Sequence, residues 1–132
     1  MRPELEAQIL TRWPDWFATR ADVSQSLMCF GFQHADGWFA LLVRTLERLA
    51  PLVAAWNSEL ALRGTRFEII EVKQKFGRLR IIALPTNCAI VTALLDAREQ
   101  SRFMCEQCGA AAVTNTQRIL CECCRSDAPN AL

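Results

Sequence analysis

No stretch of the chain approaches the ~20 consecutive apolar residues of a membrane span, which excludes a transmembrane helix. Charge of one sign is also missing. Fifteen Lys and Arg against fourteen Asp and Glu leave a formal net charge of +1, whereas a dedicated nucleic-acid binder is strongly basic. There is a single histidine, His34, so an open catalytic zinc site would need it to replace a cysteine from far away in sequence. Neither a phosphate-cradling glycine loop nor a paired-carboxylate motif is present. The first residues, Met1-Arg-Pro-Glu-Leu-Glu-Ala, carry acids where a secretory signal needs an apolar run, so the expected location is the cytoplasm.

What the chain does have is cysteine. Of seven, four form two CxxC pairs, Cys105-Glu-Gln-Cys108 and Cys121-Glu-Cys-Cys124, the second enclosing a fifth, Cys123. Two such pairs a short hairpin apart are the ligand pattern of a tetrahedral Cys₄ zinc site. Gly109 suits the left-handed turn that aims backbone N–H groups at the first pair of sulfurs. The second pair lacks that glycine, and Cys123 competes with Cys124, although a Cys-x-Cys pair closes a tighter ring. A disulfide framework fits poorly with an odd count and no signal peptide. With four thiolates the coordination sphere is closed, so the predicted Zn²⁺ is structural, contributing roughly 10–16 kcal/mol of apparent binding energy. Cys29 and Cys88, in apolar company, read as buried small hydrophobes.

The 132 residues, 52% hydrophobic, fit one globular unit. A helix is predicted over 3–18, closing near Trp13-Pro14. Trp38, Leu41, Leu42, Thr45, Leu46 and Leu49 form one helical stripe, with Asp36 as its cap and His34 in the preceding turn. Pro51 kinks this helix or starts a second one over 52–62. Strands over 66–74 and 79–84 make a hairpin about Phe76-Gly77. Ile70 and Val72 are expected on one face, and Phe67 and Ile69 on the other. Thr86 would cap a helix over 86–102 carrying Ile90, Leu94, Ala97 and Ser101 on one stripe.

The predicted fold is α+β. An α+β core spans 1–102 with the basic hairpin at 66–84, a zinc-ribbon-like hairpin of two short strands spans 103–125, and 126–132 is a frayed tail. The hairpin, marginal alone, must pack on helices or gain strands.

Basic charge gathers on that hairpin, where Arg63, Arg66, Lys73, Lys75, Arg78 and Arg80 face only Glu68 and Glu71. The plain reading is a solvated face with cations blunting a sheet edge. The sharper one is a partner surface made by Lys73, Lys75, Phe76, Arg78 and Arg80. The cysteine module is slightly acidic by comparison, unlike a ribbon that grips phosphates. A His34–Asp36 pair has no nucleophile placed beside it by any spacing, so catalysis there is not expected.

Three segments together resemble a widespread family of short bacterial and prophage-borne proteins. They are Asp36-Gly37-Trp38, Val72-Lys-Gln-Lys-Phe-Gly77-Arg-Leu-Arg80, and Ser101 followed by Cys105-Glu-Gln-Cys108-Gly and Cys121-Glu-Cys-Cys124. The resemblance covers about residues 30–125. Gln74 stands where that pattern has glutamate, Ala97-Arg98-Glu99 replaces an Ala-Glu pair, and Cys123 is additional. The resemblance implies no enzymatic activity. It implies an immunity or antitoxin role, binding and neutralising a bacterial toxin by occlusion, with a protein partner rather than a membrane or a small-molecule substrate. The alternative is a phage-type regulator that contacts nucleic acid through the basic hairpin, with Phe76 available to stack on bases.

Overall fold

The long stripe of leucines sets the core. In a computed structural model, which describes residues 1–114 and 117–127, α1 (Pro3–Arg12) is followed by short 3₁₀ turns and then α2 (Phe39–Ala61). Next come β1 (Glu68–Lys75), β2 (Arg78–Leu84), α3 (Cys88–Gln100) and α4 (Glu122–Asp127). The fold is α+β, as predicted. Helix α2 buries Leu41, Leu42, Leu46, Leu49, Val53 and Leu60 against aromatics from the N-terminal turns and the inner face of the hairpin. Trp16 meets Phe67 edge-on at 5.6 Å between ring centroids, a favourable aromatic geometry.

Helix α2 runs through Pro51 without a second start. The bond that proline cannot make would have ended on the Glu47 carbonyl, one turn earlier. Both residues are exposed, so water can solvate that carbonyl. The N-terminal helix stops at Arg12, and Pro14–Phe17 is a separate 3₁₀ turn.

β1 and β2 are the sole sheet among the described residues. The register shifts between Ile69 and Glu71, and this bulge reverses the face parity expected from sequence. Phe67, Ile69 and Val72 are all buried. Ile70 is displaced, its carbonyl accepting from the Leu27 amide at 2.8 Å and from Ser26 Oγ at 3.3 Å. The outer edge of β1 is further covered where Gln33 bonds Val72 and Gln74. A loop, together with α3, supplies what a lone hairpin lacks.

Several local expectations fail for identifiable reasons. Asn87, not Thr86, caps α3, its Oδ1 accepting from the Ile90 amide at 3.0 Å. Asp36 caps nothing; its carboxylate takes the Arg2 amide at 2.8 Å and the Arg2 guanidinium at 2.7 Å. Cys29 and Cys88 are exposed rather than buried, because Met28 and Ile90 hold the nearby core positions. Ser126, placed in the tail by sequence, lies within α4 and donates to the Glu122 carbonyl at 3.0 Å. The rest of that tail, 128–132, lies outside the described residues.

His34 lies in a bend before α2 and is buried there. Its ring lies between Phe32 and Trp38, at 6.4 and 5.9 Å between centroids. Nδ1 donates to the Ala35 carbonyl at 2.8 Å, and Nε2 has no partner among the described residues. Burial holds the imidazole down to about 4. The Ala35 bond and Asp36 oppose that shift, while the Met1 ammonium adds to it. The unfolded chain therefore takes up a proton first, and stability is lost as pH falls below about 6.5. By pH 5.5 the loss is about 1 kcal/mol. Urea unfolding of wild type and His34→Phe at pH 7.5 and 5.5 isolates this contribution. The variant is expected to lose less stability over that interval, and identical losses would refute the assignment.

Candidate metal centre

The centre is built by two different local structures. At the first pair, the Cys105 amide donates to the Ala110 carbonyl at 2.7 Å and Gly109 closes the turn onto the Cys105 carbonyl at 2.8 Å. Gly109 has φ +82, the left-handed geometry that favours glycine. The second pair uses a helix start instead of a glycine turn. Cys121 precedes α4, the Arg125 amide bonds the Cys121 carbonyl at 2.9 Å, and the Cys124 amide approaches Cys121 Sγ at 3.4 Å. The segment between the pairs forms no strands among the described residues. A single bridge joins Met104 to Ala111, and Val113 bonds the Leu120 carbonyl at 2.8 Å. Thr114 Oγ1 replaces strand pairing by accepting from the Leu120 amide and donating to the Arg118 carbonyl, each at 2.7 Å.

The sulfurs of Cys105, Cys108, Cys121 and Cys124 lie within 4.8 Å of one another, and those of Cys108 and Cys121 are 3.6 Å apart. A tetrahedral ion with ~2.3 Å metal–sulfur bonds separates its sulfurs by about 3.8 Å, within the span of this cage, so the four residues fit a metal. Cys123 is exposed and outside the cluster.

Electrostatics point the same way. Burial opposes ionisation of Cys105, but N–H groups of Cys121, Cys108 and Gln107 outweigh it and bring the thiol down to about 7. Cys124 is driven strongly upward, first by the hydrogen bond it shares with Cys121 and then by burial. At Cys108 the Ala110 amide lowers the thiol, but bonds shared with Cys121 and Cys105 raise it on balance. The Cys105 thiolate forms most readily, and ionisation of Cys108 and Cys124 beside it is resisted. A bound dication removes that conflict.

The centre is locked to the core by contacts that the sequence did not disclose. The Gly37 amide donates to the Glu106 carbonyl at 2.7 Å. A Cβ at Gly37 would sit 2.5 Å from that oxygen and closer still to the carbonyl oxygen of Cys105. Trp38, fully buried, donates from Nε1 to the Met104 carbonyl at 2.9 Å. Ser101, also fully buried, accepts the Leu79 amide at 2.9 Å and donates to the Arg98 carbonyl at 2.6 Å. Gln74 reaches across to the Gln117 carbonyl, so this side chain ties the hairpin to the cysteine module. The glycine of the Asp36-Gly37-Trp38 segment was the one visible sign of such close packing, and it serves close approach rather than a left-handed turn.

The hairpin residues singled out by sequence sit apart from the metal cage. Lys73 pairs with Glu71 at 3.6 Å and stands opposite Arg80 in the register, as Lys75 does opposite Arg78. Phe76 caps the tip, 74% exposed, with φ +52 and the Lys75 ammonium 5.7 Å from its ring. No helix among the described residues is long and apolar enough to cross a membrane. Comparison with protein-family models, curated proteins and solved structures found no match.

Metal analysis of Cys105→Ser is expected to show loss of the bound metal and collapse of the C-terminal module, with Cys29→Ala keeping full occupancy. Equal metal in wild type and Cys105→Ser would overturn the cage. Gly37→Ala should cost about 3 kcal/mol, the upper end of overpacking, because backbone atoms cannot move aside. Denaturant unfolding of the metal-loaded variant reads this directly, and a loss below about 0.5 kcal/mol, the range of ordinary surface changes, would contradict it.

Proposed function

We propose that the chain is a zinc-stapled interaction protein that captures a protein partner through its basic hairpin, in an immunity or antitoxin role. Four thiolates suit Zn²⁺ and leave no position for a substrate or an activated water, so the metal acts as a staple. The observation that carries the reading is Phe76. A bulky residue is held in left-handed backbone, which costs about 1 kcal/mol, only to be exposed to water. Strain of this kind collects at binding sites. Lys75, Arg78 and Arg80 beside it reach no carboxylate among the described residues. An acidic patch on the partner would complement them and speed encounter. Neutralisation would follow from covering the partner's active surface.

Two measurements test this. Phe76→Asn creates the Asn-Gly pair that such turns favour and should stabilise the fold by about 1 kcal/mol, while weakening partner capture. Capture uses the tagged protein in lysate of its host, with and without nuclease. One stoichiometric protein, nuclease-resistant and lost with Phe76→Asn, is the expected result. Recovery that depends on nucleic acid and falls steeply with salt would replace this reading with that of a regulator. A cobalt-substituted sample whose spectrum departs from the all-thiolate tetrahedral form would reopen the enzymatic possibility.

A further inference from the structure

The hairpin carries an arrangement of charge that its own folding disfavours. In the register, Lys73 stands opposite Arg80 and Lys75 opposite Arg78. Residues two apart on a strand share a face, so all four cations lie on one face of the sheet. The other face buries Val72 and Leu79 in the core. Facing side chains leave the backbone about 5 Å apart, and like charges set this way destabilise the pair. Glu71 meets Lys73 at 3.6 Å, Lys75 lies over the Phe76 ring, and Arg78 Nη1 donates to the Gly77 carbonyl at 3.1 Å. No carboxylate bridges either facing pair among the described residues. This crowding, not the mere lack of a carboxylate, sets the four apart. Arg20 donates to the Phe17 carbonyl at 3.0 Å, Arg63 lies over the Trp56 ring, Arg44 Nη2 is 4.0 Å from Met104 Sδ, and Arg118 acts on the Glu106 carboxyl. None of those arginines faces another cation across the strand pair.

The same side chains border a groove of about 430 Å³. Arg78, Arg80 and Ile82 line it from β2, and α3 supplies Leu94, Leu95 and Arg98. Leu95 is 54% exposed, so apolar surface and a further cation adjoin the crowded four. A sheet face presents side chains only, because its main-chain groups pair within the plane of the sheet. Any segment lying on that face must therefore satisfy its own backbone, as a helix does. The spacing also suits a helix. The two facing pairs form rows about 7 Å apart along the strands, and side chains four residues apart on a helix are separated by about 6 Å along its axis.

We infer that this face and groove receive an acidic amphipathic helix of a protein partner. One carboxylate would lie between Lys73 and Arg80, and the next, a turn along, between Lys75 and Arg78. Aliphatic side chains on the adjoining stripe would enter the groove against Ile82, Leu94 and Leu95. This is the mode in which a helix docks through anchors at i, i+3 and i+4. A phosphodiester strand would meet the cations but leave the apolar wall bare. The inference rests on the interaction reading for the existence of a partner, and deepens it by naming the element that is recognised.

Lys75→Glu/Arg80→Glu turns both like-charge pairs into opposite ones. In the metal-loaded full chain, with metal content confirming the fold, this variant is expected to unfold at higher denaturant than wild type. The gap should shrink between about 0.01 and 1 M NaCl, as the screening length falls from about 30 to about 3 Å. Unfolding at the same or lower denaturant would overturn the inference at its base. The binding probe is a fluorescein-labelled peptide of repeated Ala-Glu-Leu-Ala, titrated by anisotropy and by amide NMR. Saturable binding that shifts the Arg78, Arg80 and Leu95 amides is expected. The double variant should weaken it at least about tenfold, the worth of one hydrogen bond to a charged group. So should glutamine in place of the peptide's glutamate, or a central proline that breaks its helix. No saturable binding up to about 1 mM, the weak end of useful affinity, overturns the site. Equal affinity in any of these controls, or tighter binding of an oligothymidine, does the same. If the double variant still retains a captured partner, the face site falls and the interaction reading stands. If the peptide binds the face but no partner is captured, the face site stands and the interaction reading falls.

Discussion

The contact between Gly37 and the backbone of Cys105 and Glu106 is the constraint on which the rest depends. Two chain segments nearly seventy residues apart touch with no side chain between them. Beside that contact, Trp38 fills the centre of the core and bonds Met104, so the cysteine turn is both the end of the metal cage and one wall of the hydrophobic interior. Closure of the cysteine cage and core packing are then one cooperative event. Either one alone leaves a buried indole N–H or a set of crowded thiols unsatisfied, and both are costly.

The same logic ties in the hairpin. Ser101 fastens Leu79 to the end of α3, and Gln74 fastens β1 to the loop before Cys121. The short motifs that stood out in the sequence are thus mutual neighbours rather than separate devices. Most of them hold the scaffold together, which leaves the hairpin tip as the part not explained by folding. At position 74 an amide does the joining through its N–H, a task for which a carboxylate has no donor at neutral pH.

Legibility in the sequence followed locality. The leucine stripe of α2, the tight turn at Phe76-Gly77, the left-handed Gly109 and the cysteine cage are dictated by residues close in sequence or by a fixed ligand chemistry. The bulge at Ile70 was hidden because a loop from the twenties captures that carbonyl. Pro51 looked like a break because its neighbour's exposure to water could not be known. Asp36 resembled a cap until the N-terminal segment brought Arg2 to it. Among the described residues the cysteine module forms no strand, because Thr114 takes up backbone groups that strand pairing would have used.

The Gly37 contact also fixes an order of events in time. During synthesis the segment carrying Trp38 emerges well before the cysteines that complete its surroundings. Until residues 104–124 follow, α2 has no lid over its first turn, and the indole has only water or a chaperone for company. Domains tend to consolidate as their early segments emerge, but here a later module closes an earlier one. Supply of metal at that moment would decide whether the newborn chain matures or lingers with its largest aromatic uncovered.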